Sequence, residues 1–152
     1  MSAQFVIDVA IKEVGYKEGA NNATKYGVAF GMDHVSWCCI FVWWCFKQAG
    51  LDSKILKTAG VEALEAWGIK NKLTVPVANI QAGDLVLYDF THSGVAEHIE
   101  IATSAVDPKA HTFHSIGGNT SNPANASQSN GDGVYVKIRP TNLVKTVIRP
   151  QY

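Results

Sequence analysis

Apolar residues in the first half of the chain recur at the spacing of amphipathic helices. Residues 3–14 predict the first helix, which Gly15 would end. Its apolar stripe consists of Ala3, Val6, Ile7, Ala10, Ile11 and Val14. Residues 36–50 carry a second stripe, and further apolar residues cover most of the remaining surface, which predicts a buried, central helix. A short helix is predicted over 60–67, whereas 16–35, which holds several Gly and Asn residues, is predicted to be irregular.

The second half of the chain changes to shorter segments that are typical of β-strands. Strands are predicted over 84–90, 97–103, 110–116, 134–139 and 143–149. Residues 117–133, rich in Gly, Asn and Ser, predict a loop. Helices followed by strands predict an α+β fold, in which N-terminal helices pack on an antiparallel sheet of roughly five to six strands. Because no repeat or linker divides the chain, residues 1–152 are expected to form a single domain.

Composition and charge narrow the class of protein. The chain has 152 residues, 47% hydrophobic and 17% charged, as expected of a folded globular domain. Thirteen basic residues balance thirteen acidic ones and no basic stripe is present, so neither nucleic acid nor an anionic membrane is an expected partner. No segment approaches the apolar length of a bilayer span. The N-terminus lacks a basic region and Asp8 interrupts its apolar stretch, so no secretory signal is expected.

Three cysteines lie on the predicted central helix. Cys38 and Cys45 share a face but are about 10 Å apart along the helix axis, and Cys38 and Cys39 point in different directions. No internal disulfide is therefore expected, and these are predicted to be free thiols in a reducing compartment. Cys38 lies in the first turn, where the positive end of the helix dipole favours a nucleophilic thiolate. Cys39 and Cys45 are expected to be core residues.

A cysteine nucleophile needs a base or cationic partner, which itself needs an orienting group. Five histidines are available: His34, His92, His98, His111 and His114. In the predicted strand 97–103, Ile99 and Ile101 share one face and His98 lies on the other. If the isoleucines face the central helix, His98 points away from Cys38 unless the sheet curves or the helix packs at the strand's edge. Spacing alone does not select a histidine.

Several ordered blocks resemble CHAP domains, the cysteine- and histidine-dependent amidase and peptidase domains of the NlpC/P60 superfamily. The blocks are WCCIFVWWC at 37–45 followed by AG at 49–50, GDLVLYD at 83–89, GVAEHIEI at 94–101, IGGNTS at 116–121 and GVY at 133–135. The resemblance implies a papain-like NlpC/P60 core and a catalytic domain that covers the chain.

The same resemblance assigns roles to individual residues. It implies that Cys38 is the nucleophile and His98 its base. Asn119 matches an asparagine of the family pattern, and we expect its amide to orient the imidazole. The glutamate that the family often places two residues earlier is Gly117 in this chain. Two other residues are alternatives for the orienting role: His114 and Glu100.

Substrate and cofactor expectations also follow from the resemblance. Trp37 and Gly118 are expected to contact the substrate. Some CHAP domains bind calcium through an Asp-rich loop before the cysteine, but 16–35 holds only Glu18 and Asp33 as acidic residues, so no metal and no cofactor are expected.

The implied substrate is bacterial peptidoglycan, cleaved at an amide bond either as an N-acetylmuramoyl-L-alanine amidase or as an endopeptidase. The family occurs in phage endolysins, tail-associated lysins and bacterial autolysins. Because no secretory signal is expected in this chain, we expect a phage endolysin, which is made in the host cytoplasm and acts on the wall after release. Nothing in the chain resembles a wall-binding module, so targeting would come from a separate domain or chain, or from the catalytic domain itself.

Two other functions are weighed against this one. The four tryptophans could form a sugar-stacking platform in a non-catalytic binding module, but three of them lie on the predicted buried helix. The histidines and neighbouring carboxylates could form a zinc peptidase site. However, no His-Glu-x-x-His motif is present, and His111 and His114 would place their rings on opposite faces of a strand.

Overall fold

The computed structural model describes residues 2–121 and 131–152. The α-helices in these ranges are α1 (Ser2–Glu13), α2 (Lys25–Phe30), α3 (Cys38–Gln48) and α4 (Val61–Lys70). The strands are β1 (Thr74–Val75), β2 (Leu85–Tyr88), β3 (His98–Ala102), β4 (Thr112–Thr120), β5 (Gly133–Pro140) and β6 (Val144–Ile148). Helices precede strands along the chain, and the predicted α+β class is confirmed.

The described strands form one antiparallel sheet in the order β1-β6-β2-β3-β4-β5. β3 pairs with β2 from Ile101 to His98, and the last pair is Tyr88 with His98. Its pairing with β4 consists of only two residue pairs, Ile101 with Ile116 and Ala102 with Ser115. The sheet therefore opens between β3 and β4 at the end where β3 begins.

Alternating residues of the strands supply two cores, one on each face of the sheet. Leu85, Leu87, Ile99, Ile101 and Ile116 pack with the helices, and α3 is buried over nearly its whole surface. The opposite face carries a second apolar cluster, whose buried members are Ile80, Val86, Tyr88, Ala102, Phe113 and Val147. The alternation predicted for 97–103 is confirmed, because its isoleucines face the helices. Within the described ranges no helix has the length and apolar character needed to cross a lipid bilayer.

The structure differs from the sequence prediction in three places. Helix α2 lies in the segment predicted to be irregular, where Thr24 caps it by accepting a hydrogen bond from the Gly27 N–H at 2.9 Å. Six residues are too few for a visible apolar period, and the same holds for the two residues of β1. Strand β4 continues to Thr120 because its pairing with β5 extends to Gly133. The middle of the predicted loop 117–133, residues 122–130, lies outside the described residues.

Candidate active site

Cys38 is the first residue of α3 and lies where the helix meets the sheet. The N-cap residue is Trp37, whose side chain makes no capping hydrogen bond. The N–H groups of a first helical turn have no partner within the helix, and they carry the positive end of its dipole. Only 4% of Cys38 is exposed, which leaves its sulfur nearly buried at this end of α3.

His98, the first residue of β3, lies close enough to Cys38 for the two side chains to interact, and this interaction raises the pKa of His98. Only 7% of His98 is exposed. The strand alternation places its side chain on the face away from the helices, yet the two groups meet because β4 no longer pairs with β3 at this end. The start of α3 packs against β4 there, since a Cβ at Gly118 would lie 2.7 Å from the Trp37 ring. The first turn of the helix thus reaches the His98 ring through the opening of the sheet.

The charge state of His98 follows from its neighbours. Burial alone would lower the pKa of His98, but hydrogen bonds to Cys38 and Glu100, together with the charge of Glu100, raise it to about 9. The imidazole is therefore protonated at neutral pH. A positively charged ring beside a thiol favours the thiolate, which is the nucleophilic form of cysteine.

Glu100 is the carboxylate that holds the imidazole. Its Oε2 lies 2.9 Å from His98 Nε2, and its side chain is fully buried. Arg139 of β5 donates to both carboxylate oxygens, from Nε to Oε1 at 2.9 Å and from Nη2 to Oε2 at 2.6 Å. Burial alone would raise the pKa of Glu100, but the hydrogen bonds and charges of Arg139 and His98 hold it well below its ordinary value. The group is therefore an ionised carboxylate.

Asn119 contacts Ser36 in the structure, which differs from the orienting role predicted for it. Its Nδ2 donates a hydrogen bond to Ser36 Oγ at 3.0 Å, two residues before Cys38. Its backbone is left-handed, with φ of +51°, within an irregularity of the β4–β5 register between Gly117 and Thr120. This irregularity turns the amide towards the segment before α3. Of the two alternatives, Glu100 occupies the orienting position, whereas His114 is exposed.

Trp37 and Gly118, where substrate contacts are predicted, are both buried in the structure, and those contacts stay a prediction. Trp37 is completely buried; its Nε1 donates to Glu18 Oε1 at 3.2 Å and its ring stacks on Tyr26. Gly118 is buried as well, and an added Cβ would lie 2.6 Å from Phe41 Cβ. Both residues allow α3 to pack closely on β4, so their contribution is to the position of the helix.

A cleft of about 440 Å³ opens beside Cys38. Small side chains line it: Ala59, Gly60, Val61 and Ala63 at the start of α4, and Val95 and Ala96 before β3. Two carboxylates, Glu62 and Glu97, also line it. Sequence reasoning missed these walls, because nothing in the periodicity of 59–63 distinguishes a cleft wall from an ordinary helix start. For the wall formed by 95–97, the sequence did contain a signal, because these residues directly precede His98.

The remaining candidate ligands and thiols are not gathered at this site. All three cysteines are free, and Cys39 and Cys45 are buried in the core as predicted. Burial raises the pKa of both thiols, which keeps them protonated. Within residues 2–121 and 131–152, no group of three or more His, Cys, Asp or Glu side chains is arranged to hold a metal ion.

Comparison with known proteins gives one family and several similar structures. A family model described as the CHAP domain matches residues 28–119, more than half of the chain. The fold is similar to that of the peptidoglycan hydrolase RipB from Mycobacterium tuberculosis, with a TM-score of 0.58 and 20% identity over 99% of this chain and 66% of that chain. It is also similar to the endolysin LysIME-EF1, with a TM-score of 0.57 and 18% identity over 99% and 64% of the two chains.

A third similar structure is that of Ly7917, with a TM-score of 0.55 and 15% identity over 99% of this chain and 63% of that chain. The chain thus spans less than two thirds of the length of each of these three proteins. At these identities the likeness concerns the fold. No curated protein sequence matches the chain significantly. Cys38, His98, Glu100 and Asn119 lie within the matched family segment, whereas Arg139 lies beyond it.

Proposed function

This chain belongs to the CHAP domain family, and we propose that it is a hydrolase that cleaves an amide bond of bacterial peptidoglycan with Cys38 as its nucleophile. The observation that carries the proposal is the neighbouring position of Cys38 and His98 at the start of α3, with His98 held by Glu100 and Cys38 lining an open cleft. The names of two similar structures, a peptidoglycan hydrolase and an endolysin, support the choice of substrate.

The geometry supports a two-step acyl transfer. The Cys38 thiolate attacks the amide carbonyl, and backbone N–H groups of the first turn of α3 stabilise the oxyanion that forms. The tetrahedral intermediate collapses, the carbon–nitrogen bond breaks, and the His98 imidazolium gives its proton to the departing amine. Neutral His98 then takes a proton from water, whose oxygen attacks the thioester and releases the carboxylic acid product and the Cys38 thiolate. The imidazolium is thereby restored.

The finer parts of the proposal concern the bond and the setting. We propose that residues 1–152 act as one catalytic domain, cleaving either the N-acetylmuramoyl-L-alanine bond or a peptide bond of the stem or cross-bridge. We also propose that it works as a phage endolysin, made in the host cytoplasm and released to the wall. Wall binding would be supplied by a separate domain or chain.

Digestion of purified peptidoglycan tests the proposal. We expect falling turbidity and new free amino groups, and mass spectrometry of the soluble fragments identifies the bond. An amidase releases peptides that begin with L-alanine and leaves muramic acid unsubstituted, whereas an endopeptidase leaves the stem attached to the glycan. Binding to the wall without soluble fragments would instead indicate a binding module. Inhibition by a chelator but not by a thiol alkylator would indicate a zinc peptidase.

A further inference from the structure

We propose that Glu100 is the positioning residue of His98, and that Gly117 is required because its missing side chain leaves the space that Glu100 occupies. The inference rests on the proposed function for its catalytic meaning. Its structural basis lies in three strands: β3 carries His98 and Glu100, β4 carries Gly117, and β5 carries Arg139.

Hydrogen bonds fix the Glu100 carboxylate on both of its oxygens. Oε1 accepts from Ser115 Oγ at 2.6 Å and from Arg139 Nε at 2.9 Å. Oε2 accepts from Arg139 Nη2 at 2.6 Å and lies 2.9 Å from His98 Nε2. A carboxylate held by the planar fork of an arginine has one orientation, and this orientation is passed on to the imidazole. With Nε2 directed at Glu100, Nδ1 is the ring nitrogen left for Cys38.

Gly117 and Glu100 share one space. A Cβ added at Gly117 would lie 2.6 Å from both Cγ and Oε2 of Glu100, far inside van der Waals contact. Any side chain at position 117 must therefore displace the carboxylate from the place where it meets His98. The same distance shows that a side chain growing from position 117 enters the volume that the Glu100 carboxylate now fills.

No other carboxylate takes the place of Glu100 among the described neighbours of the ring. The titratable groups next to the His98 ring are Cys38 of α3, Tyr88 of β2 and Glu100 of β3. Two cations of β5, Lys137 and Arg139, interact with Glu100 and so influence His98 indirectly. Burial and the charge of Glu100 raise the pKa of Tyr88, which keeps the phenol neutral. Glu97, the preceding residue, accepts from Thr91 and Ser93. Glu100 is thus the anion that stabilises the imidazolium.

The substitution Glu100→Gln tests this role, because it removes the charge and nearly preserves the shape. The imidazolium of His98 is the proton donor, so activity falls as pH rises through its pKa of about 9. Without the carboxylate charge we expect this alkaline limb to move to lower pH by about one to three pH units. We expect kcat to fall roughly 10- to 100-fold and KM to change less.

An NMR titration of the His98 ring measures the same change without substrate, so its result is independent of whether peptidoglycan is hydrolysed. An unchanged titration midpoint in folded Glu100→Gln protein would overturn the positioning role even if the enzyme proposal stands. A lowered midpoint in a protein that does not cleave peptidoglycan would support the contact and refute the proposed function. Thermal unfolding establishes that the variant is folded.

Two variants at position 117 test the shared space. Gly117→Ala leaves the Glu100 charge in the chain but should displace it, and we expect the alkaline limb to move in the same direction as in Glu100→Gln. The matched control is Gly19→Ala, where an added Cβ would meet Ala23 Cβ at 3.4 Å and no effect is expected. In the double variant Glu100→Ala/Gly117→Glu, the carboxylate returns from β4, and we expect at least a tenfold gain in kcat over Glu100→Ala. Wild-type behaviour of Gly117→Ala would contradict the shared space.

Discussion

Replacing Cys38 with alanine is expected to reduce the hydrolysis of purified peptidoglycan to less than about one thousandth of the wild-type rate. The reason is that the variant has no atom that can form the thioester, while the cleft and the remaining donors stay in place. Turbidity and the release of free amino groups measure the effect. Because Cys38 packs at the start of α3 and is 4% exposed, thermal unfolding should accompany the assay to establish that the variant is folded.

The adjacent cysteine provides the matched control. Cys39 is on the same helix turn, but its side chain is buried and its Sγ lies 3.9 Å from the Gly60 carbonyl oxygen. We expect Cys39→Ser to keep hydrolysis within a few-fold of wild type, since its thiol does not face the cleft or His98. A Cys38→Ala protein that digests peptidoglycan at the wild-type rate would refute the nucleophile assignment.

Replacing Arg139 with leucine is expected to lower the free energy of unfolding by about 3–5 kcal/mol. The Glu100 carboxylate would remain fully buried without the guanidinium that contacts both of its oxygens. The substitution also removes the stacking of that guanidinium over the rings of Tyr88 and Phe90. Urea denaturation at neutral pH, where Glu100 is ionised, measures the loss.

Two further variants identify the cause of that loss. Lys47→Ala breaks an exposed ion pair with Asp52, at 3.4 Å, and should cost less than about 1 kcal/mol. Adding Glu100→Gln to Arg139→Leu removes the stranded charge and should recover part of the lost stability. If Arg139→Leu costs no more than Lys47→Ala, the buried carboxylate is not ionised and the proposed positioning network is wrong.

Sequence periodicity predicted the parts of the fold in which burial repeats regularly. The stripe over 3–14 and the apolar segment 36–50 became α1 and α3, because α1 buries apolar residues against α3, and α3 buries them against α1 and the sheet. The alternation over 97–103 became β3, with its isoleucines towards the helices. Short elements such as α2 have no period to detect, and capping by Thr24 gives only a local signal.

The site depended on information that periodicity does not contain. The alternation of side chains in β3 placed His98 on the face away from the helices, which argued against a contact with Cys38. That argument holds only if β3 and β4 stay paired along their whole length. The contact forms because β3 and β4 separate, which is decided by tertiary packing. The amide of Asn119 contacts Ser36 because a backbone irregularity redirects it. The partnership of Glu100 with Arg139 joins residues 39 positions apart and has no sequence signature.

The most direct test of the central claim, that the Cys38 sulfur performs the chemistry, is alkylation of the wild-type protein. The folded protein is treated with iodoacetamide, and lytic activity on purified cell walls is compared with the extent of modification of each cysteine by peptide mass spectrometry. We predict that activity falls in proportion to modification of Cys38, which lines the cleft, while the buried Cys39 and Cys45 stay unmodified. Full activity in protein whose Cys38 is completely alkylated would contradict the account.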